Sequence, residues 1–178
     1  MVEKALGKNS FLPENGCGLK KVTINDDLTL IIIDSRWFIS NWDKHPTINE
    51  NCDIKTREQF INEITSLFKK NRFKDVVVAM HHPLYSNGPH GGSFSVKDHL
   101  KPLPILGTLK NTLRSHVGIQ TDNFNEYYSN FINEIEKASA DFNQNIVFVS
   151  GHEHNLQYIE KNGFKQIVSG AGSKQSAA

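Results

Sequence analysis

The chain has little that could staple, anchor or steer it. It contains two cysteines, Cys17 and Cys52. That excludes a disulfide-dense scaffold and any four-cysteine zinc site, and leaves one disulfide or two thiols open. Long hydrophobic runs are also missing. The longest unbroken apolar stretch is Val76 to Met80, far short of the ~20 residues a membrane-spanning helix requires, and residues 1–25 hold no apolar core of a secretory leader. Charge of one sign is scarce, since 20 Lys and Arg stand against 19 Asp and Glu for a net charge of +1. With no large field of one sign, the expected partners include no nucleic acid, and no membrane contact is expected from this segment. Gly and Pro, 12 and 6 residues, are too few for a fibrous or low-complexity chain. Oligomeric state is not legible.

What is present suffices for one domain. At 178 residues with 38% hydrophobic side chains, roughly 70% of the unfolded surface is buried on folding. Three β-branched runs, Leu28 to Ile33, Val76 to Met80 and Ile146 to Val149, are apolar without alternation and read as strands buried on both faces. Thr56 followed by Gln59 resembles a capping box, and Phe60, Ile61, Ile64, Leu67 and Phe68 form one apolar stripe, so a helix is predicted over Thr56 to Asn71. A second is predicted over Phe124 to Ala140, with Tyr127, Tyr128, Phe131, Ile132 and Ile135 on one face and Asp122 or Asn123 as cap. Alternation of strands and helices predicts an α/β fold. Lys161-Asn162-Gly163 between Leu156–Glu160 and Phe164–Ser169 predicts a C-terminal antiparallel hairpin. Pro83 to Thr121, rich in Gly, Pro, Ser and His, reads as a long functional loop.

Of eight histidines, five fall in two short segments, each beginning where a predicted strand ends: His81, His82 and His90 in the first, His152 and His154 in the second. Ligands bind beyond the carboxyl ends of strands in α/β sheets, so the two groups are expected to share one site. Neutral imidazole is the commonest protein ligand of divalent transition metals, and a bend at Gly151 would let the His152 and His154 rings reach neighbouring ions. His45 (in Asp43-Lys44-His45), His99 and His116 read as surface residues. Trp37 and Trp42 read as cover for the core.

These segments resemble those of the calcineurin-like metallophosphoesterases, in the branch near purple acid phosphatases. Gly151-His152-Glu153-His154-Asn155-Leu156-Gln157 is similar to the family's closing Gly-His-x-His motif. His81-His82-Pro83, with His90-Gly91 nine residues after His81, resembles its penultimate motif. Phe11 to Cys17 and Asp34 to Trp37 add further similarity. The resemblance implies the C-terminal half of an α/β/β/α sandwich, a single partial domain over 1–178 with a mixed sheet, two main helices and the C-terminal hairpin. The N-terminal half of the family supplies Asp-x-His, Gly-Asp-x-x-Asp or Tyr, and Gly-Asn-His motifs in succession; here Asp43-Lys44-His45 has the form of the first but no such Asp and Asn motifs follow it, so it reads as a surface loop.

By the same resemblance the activity is hydrolysis of a phosphate-ester substrate at a dinuclear centre of divalent or trivalent ions, Fe, Mn or Zn. His81 and His152 would hold one ion and His154 the other. His90 would hydrogen-bond the phosphate or protonate the leaving group. Tyr85 and Asn87 would shape the substrate entrance, and His82 would touch substrate or, better, brace a ligand. Glu153, between two ligands, should point the other way as a structural or solvated carboxylate. Relatives of this type often work outside the cytoplasm, which implies an extracytoplasmic location such as the periplasm or cell envelope. The alternative is a non-enzymatic metal-binding or interaction module, because three imidazoles suit a single zinc ion but leave a second short of ligands.

Overall fold

The computed structural model describes residues 11–42, 44–94, 96–117, 125–142 and 145–172. Its strands are β1 (Leu19–Thr23), β2 (Leu28–Ile33), β3 (Asp75–Met80), β4 (Ile146–Ser150), β5 (Leu156–Lys161) and β6 (Phe164–Ser169). Its helices are α1 (Ser35–Ile39), α2 (Arg57–Lys70), α3 (Val96–His99), α4 (Pro104–Val117) and α5 (Glu126–Ser139). The strands form one mixed sheet in the order β1-β2-β3-β4-β6-β5. β2, β3, β4 and β6 run parallel, while β1 and β5 close the two edges as antiparallel partners of β2 and β6. This is the expected α/β class, with the mixed sheet and C-terminal hairpin in place.

Local chemistry sets the two main helices. On α2 the Thr56 hydroxyl accepts from the Gln59 N–H at 3.1 Å and the Gln59 side chain accepts from the Thr56 N–H at 3.2 Å, the reciprocal pair of a capping box. The stripe Phe60, Ile64, Leu67 and Phe68 is buried. On α5 the cap is Asn125, whose side chain accepts from the Tyr127 N–H. Asp122 and Asn123, the expected caps, lie outside the described residues. Tyr128, Phe131 and Ile135 of α5 are buried with the α2 stripe over the sheet. Each such side chain contributes about 1.5–3 kcal/mol over leaving it in water. Trp37 is buried, and Trp42 packs edge-on against it at 5.0 Å with Arg57 over its outer face, so both belong to the core region.

Three expectations need correction. The central strands are not buried on both faces: Ile31, Ile33, Val76, Val78, Ile146 and Phe148 are covered by helices, while their neighbours Leu30, Ile32, Val77, Ala79, Val147 and Val149 are only half-buried. Among the described residues the helices lie on one side, and the second face is apolar but open. The long loop over Pro83 to Thr121 is in part helical. α4 begins at Pro104, where the missing N–H costs nothing in a first turn, and Gly and Pro punctuation hid it. Edge strand β1 has no apolar run to mark it, because Lys20 and Lys21 interrupt its pattern. Cys17 and Cys52, left open as disulfide or thiols, are bonded, with their Cα atoms 5.2 Å apart.

Candidate metal centre

Parallel pairing of β3 with β4 puts Met80 opposite Ser150. The next residues of both strands therefore leave the sheet side by side, and the Gly151 N–H donates to the His81 carbonyl at 3.1 Å. His81 Nε2 lies 3.2 Å from His152 Nδ1, and the ligand atoms of His81, His82 and His152 all lie within 4.8 Å of one another. The His90 ring lies against His152 with centroids 4.0 Å apart. His81, His90, His152 and His154 together line one open hollow of about 500 Å³. Two strand ends thus bring four predicted residues to one place.

The bend is made differently from expectation. His152 itself takes a left-handed backbone, φ 67°, which a non-glycine residue adopts at a cost and which concentrates at functional sites. Gly151 does not. A Cβ there would meet only His81 Nδ1, at 3.6 Å.

His82 turns inward. It is buried, with its Nδ1 2.8 Å from the Ser35 hydroxyl, which also accepts from the His82 N–H, and Tyr128 packs edge-on against its ring. Burial, together with the neighbouring His152, His81, Arg36 and His90, lowers its pKa to about 3. His81 is also shifted down, by burial first and then by His90, Arg36 and His154, against an opposing pull from Asp34. Both shifts keep the imidazoles neutral, the form that ligates metal.

A buried carboxylate organises the loop that carries His90. Glu153 is 2% exposed and turns away from the hollow between the two histidines that flank it. Its Oε1 accepts from the Ser86 hydroxyl at 2.6 Å and from the His90 N–H at 2.8 Å, and the Ser86 hydroxyl accepts from the Gly88 N–H at 2.9 Å. A Cβ on Gly88 would fall 2.4 Å from that carboxylate, so glycine is required there by close approach. Gln157 extends the arrangement: its side-chain oxygen accepts from the Asn87 N–H at 2.9 Å, and its amide donates to Asn155 at 2.7 Å. The Asn155-Leu156-Gln157 extension of the motif thus holds the same loop. Sequence reasoning sets Glu153 apart as structural or solvated; its burial is what makes it structural.

Two predicted entrance residues do not line the hollow. The Tyr85 hydroxyl donates to Glu136 on α5, Lys161 sits over its ring at 4.8 Å, and burial followed by Glu136 raises its pKa. Asn87 contributes its backbone N–H to Gln157 and leaves its side chain exposed. Asp43 lies outside the described residues, and His45 is exposed on a turn.

No protein family and no curated protein matches the sequence. Among solved structures, the chain is similar to GAP50, the anchor in the inner membrane complex of Plasmodium, at 18% identity and a TM-score of 0.45 over 89% of this chain and 39% of that one. It is also similar to a Staphylococcus aureus protein described as a 5'-nucleotidase in complex with alpha-ketoglutarate, at 14% identity and a TM-score of 0.39 over 86% of this chain and 24% of that one. This chain therefore spans well under half the length of either. At these scores neither likeness bears on chemistry.

Proposed function

We propose that this chain is the histidine-bearing part of a metal-dependent phosphoester hydrolase related to the calcineurin-like metallophosphoesterases. The observation that carries the reading is the convergence of His81 and His152 from two adjacent parallel strand ends to 3.2 Å. The donor set fits a borderline transition ion such as zinc, iron or manganese: the imidazole ligand atoms of His81, His82 and His152 lie within 4.8 Å of one another, and His154 lines the same hollow. His81 and His152 would hold one ion and His154 a second. Metal bound there would polarise the phosphoester and lower the pKa of water.

The protein's own contribution is positional. His90, held through its backbone by Glu153 and packed on His152, would hydrogen-bond the phosphate or protonate the leaving oxygen, a step worth about 10²- to 10⁴-fold. His82 braces the cluster from beneath through Ser35. The open apolar face of the sheet supports the layered sandwich, because parallel sheets are covered on both sides in stable domains. The Cys17–Cys52 disulfide supports a site of action outside the cytoplasm.

A second reading has its own support. Among the described residues the clustered ligand atoms include no carboxylate, which favours one weakly held ion and no turnover for residues 1–178 alone. Both readings are tested together. A chain extended upstream in frame should hydrolyse an aryl phosphate with manganese, zinc or iron, and His152→Ala should abolish that activity; full activity in the variant refutes the site. Purified residues 1–178 should bind about one zinc by calorimetry and turn over negligibly, and robust metal-dependent hydrolysis by them would overturn the division of ligands.

A further inference from the structure

Helices α3 and α4 form a hairpin that continues from the His90 loop and, among the described residues, packs substantively on no element but each other. Its inner side is closed. Gly107 lies against the His99 carbonyl, where a Cβ would come within 2.3 Å, and Asn111, one turn on, is buried. The outer side is apolar. Ile105, Leu106, Leu109 and Leu113 recur at helical spacing on one face of α4, and Val96, Leu100 and Leu103 continue the surface through α3 and the connecting turn. All seven are at least half exposed, Ile105 to 83%.

The charge of this segment departs from that of the chain. Residues 96–117 carry Lys97, Lys101, Lys110 and Arg114 against Asp98 alone, and α4 has no acidic residue. Since the whole chain is only +1, the rest is net negative and the positive charge gathers here. Lys101 and Lys110 are exposed, and Lys110 borders the leucine face by its spacing from Leu106 and Leu109. A helix with an aliphatic face edged by lysine and lacking acids matches one environment above others: the headgroup boundary of an anionic lipid layer.

Against the expectation of no membrane contact that the near-zero net charge set, we infer that the α3–α4 hairpin docks this protein on an anionic lipid surface, leucines in the acyl boundary and lysines among the headgroups. A second copy is a poorer occupant, because self-association would bring the same basic residues together with no acid on α4 to pair them. An acidic protein would satisfy the charge, but the face is a single outward helix broadened by its own turn, which suits a flat fluid surface. Phe94 packs edge-on against His99 at 6.3 Å, tying the base of the hairpin to the loop that carries His90. Docking would thus hold the histidine hollow near the lipid. The inference concerns a different surface from the metal centre, and neither reading depends on the other.

The test is co-sedimentation of residues 1–178 with phosphatidylcholine vesicles and with vesicles containing about 30% phosphatidylserine. Binding is expected only to the phosphatidylserine vesicles, falling as salt rises. Lys110→Ala should weaken it about fivefold, and Leu109→Asp with Leu113→Asp by more than about tenfold, both with unchanged far-ultraviolet circular dichroism because these positions are exposed. Equal binding to both vesicle types, no binding, or indifference to either variant overturns the proposal. Two other outcomes would also overturn it by assigning the face elsewhere: a lipid-free dimer in light scattering that the aspartate variant disperses, or polyglutamate binding as tight as vesicle binding.

Discussion

The loop that leaves β3 and the hairpin beyond it invert one another. Between His81 and Gly91 polar groups are taken out of water: His82 is buried with its partner Ser35, the Glu153 carboxylate that serves this loop is buried too, and the N–H groups of Asn87, Gly88 and His90 all find side-chain acceptors. From Val96 to Leu113 the aliphatic side chains are left in water. Buried polar atoms must be matched one by one, which fixes position, whereas exposed leucines constrain nothing until something covers them. The first segment is built to place a ring, and the second to meet a surface.

That contrast can be broken at several points. The largest effect belongs to His82. Its folded pKa near 3 lies below the ordinary 6.5, so between those values the unfolded chain binds a proton that the folded one refuses. Stability should therefore fall as pH drops from about 6.5 toward 3, by roughly 2–5 kcal/mol. Urea denaturation at pH 7, 5 and 4 measures it, and a flat profile would place His82 in water. Next is Gly88→Ala, expected to cost about 1–3 kcal/mol because its methyl meets the buried Glu153 carboxylate. Gly172→Ala, with open space around its Cβ, should cost nothing measurable.

Glu153→Gln retains an acceptor for Ser86 and His90 but loses the charge, with an expected cost of about 1–2 kcal/mol. It should also shift the His90 ring resonances while leaving those of His116 in place; unmoved His90 signals would mean the carboxylate does not position that ring. Smallest is Leu113→Ser on the hairpin, expected within about 0.5 kcal/mol of the parent in the absence of lipid. A larger loss by thermal unfolding would show that this face already packs on the body.

Sequence legibility depends on the range of the interaction that decides each feature. The capping box of Thr56 and Gln59, the stripe on α2, the parallel runs and the Asn162-Gly163 turn are local patterns, and each is readable. Convergence of His81, His152 and His154 on one hollow is readable because two strand ends in register must deliver their succeeding residues to the same edge of the sheet. Glu153 taking the backbone of a loop 63 residues away, Cys17 finding Cys52, and the left-handed backbone of His152 are tertiary facts with no local signature. The Gly and Pro content that argues for a loop after Pro83 does not distinguish a helix whose first residue is Pro104 from a turn. Proximity in sequence to the histidines assigns Tyr85 to the entrance, and its hydroxyl instead answers to Glu136 on a distant helix.

The disulfide has a consequence for the wall beside the cluster. Cys17 tethers the turn over Phe11 to Gly16, which roofs a second, more apolar recess of about 950 Å³ reaching to His81, whereas the imidazoles hang from the sheet. Closing a span of 35 residues, that tether accounts for about 3–4 kcal/mol of order in the chain-entropy picture. A mild thiol reagent should then unfasten one rim of the cavity while the rings keep their places, making the two halves of the pocket chemically separable.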